Sequence, residues 1–508
     1  MKDRDSTRRE SLPILDKQHV GFTTYDAKDP ETKFPPIRDV RPPAGAPNVL
    51  IVLIDDAGFG SSSAFGGPCQ TPTFEKLAQN GLRYNRFHTT ALCSPTRQAL
   101  LTGRNHHSAG MGCITELATS APGYSSIRPK DCAPLAETLK LNGYATAQFG
   151  KCHEVPVWQT SPMGPFDAWP TGGGGFEYFY GFLGGETNQY DPAVYEGTAP
   201  VDPPKTAEEG YHFTEDMTDR AIAWVRQQKA LMPDKPFFIY FAPGATHAPH
   251  HVPKEWSDKY KGRFDQGWDK LREETFARQK KMGVIPPDCE LTRRHREIQP
   301  WAEVDPQMRP VLARQMEVYA GFMEHTDHHV GRLVAALKDL EILDDTLIYV
   351  IIGDNGASAE GGPPGTFNEN IHLNGLDLET PEFLRQRIEK FGGPEAYNHY
   401  AVGWAHAMDT PYQWTKQVAS HWGGTRNGTI VHWPSGIKAK GEVRSQFCHV
   451  IDVAPTVLEA AGIPEPVAVN GIQQRPLEGT SMAYSFGDAS VPERHETQYF
   501  EMFCNRGI

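Results

Sequence analysis

Two acidic groups stand directly behind apolar runs of the chain. Asp55-Asp56 follows Asn48-Val-Leu-Ile-Val-Leu-Ile54, and Asp354-Asn355-Gly356 follows Thr346-Leu-Ile-Tyr-Val-Ile-Ile352. If both runs are strands of one open α/β sheet, these residues lie at carboxyl ends, where such sheets place ligand sites. Three carboxylates and an amide oxygen form a hard oxygen set, which suits Ca²⁺ or Mg²⁺ better than zinc. Each motif also has a plainer reading, since Asp-Asp can cap a helix and Asp-Asn-Gly makes a turn. Lys151 and His153 lie two apart, so on an extended segment both side chains reach the same side. Cys93, in Ala91-Leu-Cys-Ser-Pro-Thr-Arg97, taken alone would most simply be a buried, inert thiol.

The elements that must position these residues alternate. Apolar runs at 48–54, 237–241, 346–352 and 429–433 read as buried strands. Helical patterns at Pro72–Asn80 and Leu135–Asn142 each stop at a glycine, and a longer one runs from Arg314 to Leu340 with breaks expected near Gly321 or Gly331. The expected fold is therefore α/β, with a mixed, mostly parallel central sheet and helices on both faces. Residues 1–45 read as a polar, proline-rich arm, 46–463 as the catalytic domain, and 464–508 as the start of a truncated C-terminal subdomain. The charged region of about 250–310 reads as an insertion, a lid or pocket wall with solvated helical faces. Gly172–Gly175 reads as a flexible loop, and Tyr499–Phe503 as one lone strand.

Composition narrows the partners. With 508 residues, 39% of them hydrophobic and 22% charged, the chain has the make-up of an ordinary globular protein. A net charge of −13 argues against a nucleic-acid partner. Eight cysteines are too few for a disulfide scaffold at this length. The charged first ten residues lack a signal-peptide core, and no run of about 18 apolar residues occurs, so no membrane partner and a cytoplasmic location are expected.

The segment from Cys93-Ser-Pro-Thr-Arg97 through Leu100-Leu-Thr-Gly103 resembles the sulfatase signature, and the chain looks most like the bacterial-type arylsulfatases. Four further motifs follow in that family's order: the two acidic groups, Gly143–His153, Thr246-His247-Ala-Pro-His250, and Tyr412–Arg426 with Lys416. The resemblance, spanning about Asn48 to Gly462, implies an alkaline-phosphatase-like fold. It implies that a formylglycine-generating enzyme oxidises Cys93, and that Ca²⁺ (or Mg²⁺) is bound by Asp55, Asp56, Asp354, Asn355 and the converted Cys93. Arg97 would brace the nucleophilic oxygen, Lys151 neutralise sulfate, His153 act as base on the hydrated aldehyde, and His247 or Lys416 assist the leaving oxygen. The implied reaction is S–O cleavage of a small sulfate ester through a covalent sulfo-enzyme intermediate. Cys152 departs from the family, standing where a bulky aromatic is usual, and a local change of packing is expected there. No role follows for His250, His251 or His421. The alternatives are a phosphonate monoester or phosphodiester hydrolase of the same superfamily, and a truncated product without catalysis.

Overall fold

The computed structural model describes residues 7–16, 24–26, 28–33, 39–376 and 378–508; part of the expected N-terminal arm lies outside them. The apolar runs form the middle of an 11-stranded mixed sheet. Its central strands lie in the spatial order Leu82–His88, Arg426–His432, Thr346–Ile352, Asn48–Ile54, Phe237–Ala242, Ala145–Lys151 and Tyr178–Phe182. The last five of these run parallel to one another. Arg426–His432 is antiparallel to both of its neighbours.

Strand 48–54 shows why the run is apolar throughout. Leu50, Val52 and Ile54 enter one core, while Val49, Ile51 and Leu53 enter the other. Side chains alternate across a strand, so a strand covered on both faces must be apolar at every position. The first core packs against helices Pro72–Gln79, Phe213–Leu231 and Arg309–Asp339, and the second against Cys93–Thr102, Leu135–Leu141 and Val453–Ala460.

Several expectations are corrected. The long helix runs unbroken for 31 residues, Arg309–Asp339, through both glycines. A Cβ on Gly321 would lie 2.7 Å from backbone atoms of Ser257, and one on Gly331 would lie 2.5 Å from Thr73 Oγ1. The glycines permit close approach and do not end the helix. In the 250–310 region the charged residues Lys270, Glu273, Lys280 and Lys281 are exposed, while Trp268 and Trp301 are buried against Trp404 at ring distances of 5.4 and 5.6 Å. Its far end, at His295 and Ile298, walls a cavity of ≈ 250 Å³ with Trp414. Gly172–Gly175 is a close-packed turn, because a Cβ on Gly172 or Gly173 would sit within 2 Å of the carbonyl oxygens of Phe166 or Asp167. The C-terminal run is not a lone strand. Phe500–Met502 pairs with Asn505–Gly507 as a hairpin. Elsewhere, Ser11–Leu12 of the arm pairs with Ala468–Val469. Among the described residues, no helix is long and apolar enough to cross a membrane.

Candidate active site

Strands 48–54 and 346–352 run parallel in register, Ile54 beside Ile352, so the residues just beyond them emerge side by side. Ligand atoms of Asp55, Asp56 and Asp354 all lie within 4.8 Å of one another and are buried. Asn355 donates from Nδ2 to Asp56 Oδ1 (2.7 Å) and to the Gly356 carbonyl (2.9 Å), which leaves its oxygen free to act as a ligand. Asp55 Oδ1 and Asn355 Oδ1 are buried without a hydrogen-bond partner. Buried oxygens rarely stay unpaired. With three carboxylates and no sulfur or imidazole among them, this donor set fits Ca²⁺ or Mg²⁺.

Protein cations brace the same carboxylates. Lys151, at the end of strand 145–151, lies 2.5 Å from Asp55 Oδ2, and Arg97 lies 2.9 Å from Asp354 Oδ2 and 3.4 Å from Asp55 Oδ2. Burial pushes the Asp55 pKa up, but Lys151 and Arg97 outweigh it and hold the group well below the usual range. Burial, then the neighbouring Asp55 carboxylate, pushes Asp354 the other way. The opposite shifts reflect crowded like charges.

Cys93 is the first residue of helix Cys93–Thr102, every residue of which is buried. The hydroxyl of Thr96 donates to the Asp354 carbonyl (2.7 Å), locking this helix to the carboxylates, and Arg97 lies one turn beyond Cys93. The Cys93 thiol lies 3.1 Å from His153 Nδ1. Burial raises the thiol pKa, yet His153, Lys151 and Lys416 overcome this and bring it to about 7. The helix N-terminus adds positive potential of its own. Burial also disfavours the His153 cation, but Cys93 and Glu116 lift its pKa to about 9. Strand 145–151 ends before His153, whose φ is +56°; the turn, not a continued extended segment, aims its ring at Cys93.

His247 follows strand 237–242 and donates from Nδ1 to the Ala248 carbonyl (2.6 Å), so its Nε2 is presented to the site. Lys416 lies 3.3 Å from that Nε2, 3.1 Å from Asp56 Oδ2 and 2.8 Å from Glu360 Oε2. Burial opposes the Lys416 charge, but Asp56 and Glu360 hold it well above the ordinary lysine value. Cys93, Arg97, Lys151, His153, His247, Lys416, Asp55, Asp56, Asp354 and Asn355 therefore converge. Cys152 packs in a small cluster with Trp169 and Phe179. His250 packs between Tyr319 and Tyr400, His251 is hydrogen-bonded to the Ala396 carbonyl, and His421 precedes the short helix Trp422–Thr425.

Four carboxyl groups to which the sequence reading gave no role also reach this place, Glu186 at the end of the family-like stretch Gly181–Glu186 among them. Glu116 lies 2.9 Å from His153 Nε2, and Glu360 joins Lys416 to Gln417. Glu186 and Glu369 line the same cavity, ≈ 480 Å³, whose wall also includes Cys93, His153, His247 and Lys416. For Glu116, Glu360 and Glu369 the only sequence signal is an acidic residue among polar neighbours, which is too common to single out.

Carboxylates at parallel strand ends, a buried cysteine at a helix start and a shell of cations thus meet in one site of an α/β protein. The chain belongs to the sulfatase family, whose model (Sulfatase) matches residues 47–463. An uncharacterised sulfatase of Schizosaccharomyces pombe is 32% identical, covering 83% of this chain and 76% of that protein. An arylsulfatase of Klebsiella aerogenes is 28% identical, covering 86% and 91%. Of solved structures, Ps i-CgsB in complex with a neocarrahexaose has a TM-score of 0.58 at 21% identity, covering 90% of this chain and 79% of that one. A phosphonate monoester hydrolase from Silicibacter pomeroyi has a TM-score of 0.52 at 16% identity, covering 89% and 78%. The expected α/β fold, with a large mixed sheet and helices, agrees with these neighbours.

Proposed function

We propose that this protein is an arylsulfatase, hydrolysing sulfate esters to a phenol or alcohol and sulfate by S–O cleavage. The observation that carries this reading is the Cys93 thiol at a buried helix start, 3.1 Å from His153 and beside Lys151, Lys416 and the carboxylate cradle. When present, Ca²⁺ and a formylglycine made from Cys93 supply a charge-stabilised oxygen nucleophile.

The remaining work falls to side chains of the chain itself. Asp55, Asp56, Asp354 and Asn355 hold the cation, while Arg97 and Lys151 fix the carboxylates and present positive charge to sulfate oxygens. His153, oriented by Glu116, takes a proton on the Cys93 side. His247 Nε2 and Lys416 stand together, placed to give a proton or positive charge to the departing oxygen. Fixed charges in a site this buried stabilise developing charge without reorganising.

Trypsin should release Phe87–Arg97, and its mass should reveal Cys93 converted when the protein is made beside a formylglycine-generating enzyme. Converted protein should turn over 4-nitrophenyl sulfate faster than a phenylphosphonate ester. The reverse order of rates would replace the sulfatase reading with the phosphonate one, and no conversion with full activity would overturn the nucleophile.

A further inference from the structure

The ≈ 480 Å³ cavity is electrostatically divided. Lys416, His153 and His247 gather near Cys93, each with an acidic partner. Glu186 and Glu369 also line the wall, and among the described residues neither forms an ion pair with a lysine or arginine. The nearest basic group to Glu186 is His247 Nδ1, at 3.8 Å. One residue, Tyr397, ties the two residues together: its hydroxyl donates to Glu186 Oε1 (2.9 Å), and its carbonyl accepts the Glu369 backbone N–H (2.9 Å).

Glu369 is 2% exposed, and its Oε1 has no hydrogen-bond partner. Leaving a buried carboxyl oxygen unpaired is costly, so its presence in a cavity wall points to a donor brought by a ligand. Burial, and then the nearby Glu186 and Glu360 carboxylates, push the Glu369 pKa well above the ordinary value and favour one proton shared with Glu186, leaving the pair a single negative charge for a cation to meet. Around these groups the wall is apolar: Ile114, Leu117, Leu373 and Phe503 line it, the last three substantially exposed.

We propose that the cavity takes sulfate esters of amine-bearing phenols or alcohols, seating the ammonium against Glu186 and Glu369 and the ester's carbon body against the apolar wall. This rests on the reading of Cys93 as the reacting centre. An ammonium offers three donors, one of them to the unpaired Glu369 Oε1. A second anionic group on the leaving alcohol would meet the negative charge carried by the Glu186–Glu369 pair and be repelled. Heavily sulfated or carboxylated esters are thereby disfavoured.

The test compares kcat/KM for tyramine O-sulfate with that for the O-sulfate of 4-hydroxyphenylacetate, alongside 4-nitrophenyl sulfate. These esters share a phenolic leaving group, and the first two differ in the charge of the tail. The amine should be preferred by about tenfold or more at low salt, the margin narrowing in high salt. Glu369→Gln should shrink that ratio, and Glu186→Gln should act in the same direction; a ratio cancels any common effect on the chemical step. In parallel, calorimetric titration with tyramine and with 4-hydroxyphenylacetate reads binding without turnover, and only tyramine should bind measurably. Equal or reversed preference while 4-nitrophenyl sulfate is hydrolysed would overturn the substrate class and leave the hydrolase reading intact. Loss of all turnover with tyramine still bound would overturn the hydrolase reading and support the ammonium site. Equal binding of both phenols would overturn the site itself.

Discussion

Asn355 separates a cation-binding reading of the strand ends from a purely structural one. Both hydrogens of its amide are engaged, by Asp56 and by the Gly356 carbonyl, while its oxygen is buried without a partner. Ca²⁺ should raise the melting temperature of the chelated protein and restore its turnover, better than Zn²⁺ does, because every donor is a hard oxygen. Asn355→Leu, which keeps the number of side-chain heavy atoms and removes the oxygen, should blunt that Ca²⁺-dependent rise. A protein whose melting temperature and turnover both ignore chelation would refute the cradle. At Cys93, replacement by Ala or Ser should each lower turnover by roughly a thousandfold or more, since neither can be oxidised to the aldehyde by the cysteine-specific route. Retention of most activity in Cys93→Ser would mean a simple hydroxyl serves as nucleophile. The residues behind these tests were legible in the sequence because the chemistry imposes short, contiguous patterns on strand ends and on one helix start. Glu116, Glu360 and Glu369 were not, because nothing local to them records the tertiary neighbour that gives each its meaning, and Glu186 was visible only as part of the stretch Gly181–Glu186, without a role.

Helix Arg309–Asp339 illustrates the same limit among elements. Its periodicity was readable, but a glycine in a helical pattern has the same letter whether it ends the helix or lets another backbone come close. Gly321 does the second: its missing Cβ is replaced by the backbone of Ser257, within 2.7 Å, and of Trp256, within 2.8 Å. Backbone cannot move aside cheaply, so Gly321→Ala should cost about 1–3 kcal/mol in urea denaturation despite alanine's better helix propensity. At Gly331 the obstacle is the Thr73 hydroxyl, which can rotate away. Gly331→Ala should therefore be neutral to within about 1 kcal/mol, the better helix propensity of alanine offsetting the cost of turning that hydroxyl. Equal costs at the two sites would show that close approach is not what selects these glycines. The same helix supplies a cap that no local pattern displays. Asp327 accepts the N–H groups of Thr73 and Phe74 (2.9 Å each) at the start of helix Pro72–Gln79, whose own N-cap, Thr71, makes no side-chain capping bond.

Across the whole molecule, one buried carboxylate is among the contacts that join the C-terminal residues to the catalytic domain. Asp452 accepts the backbone N–H groups of His449 and Thr480 (2.7 Å each) and lies 2.8 Å from His495 Nδ1. His495 lies 3.2 Å from Gln498, which donates to Asn105 (2.7 Å), so the clamp leads back to the loop after helix Cys93–Thr102. Beyond it the hairpin places Phe503 on the wall of the candidate active-site cavity. Burial disfavours the His495 cation, but the Asp452 hydrogen bond and charge outweigh it and raise the pKa above its ordinary 6.5. A raised pKa in the folded state means that the folded protein binds the proton more tightly than the unfolded chain does. The resulting stabilisation is fully present below pH 6.5, and it is lost as pH rises through the elevated folded value. The melting temperature should therefore fall as pH rises across that window, and His495→Gln should flatten this component of the profile. Asp452→Asn should cost about 2–4 kcal/mol, because it removes the charge-assisted contact and leaves an amide hydrogen facing buried donors. If the clamp also holds the cavity wall, Asp452→Asn should raise KM for an aryl sulfate more than it lowers kcat, since His153, His247 and Lys416 are anchored elsewhere. Wild-type and His495→Gln proteins with superimposable pH profiles would show that the clamp is held by packing and not by the shared proton.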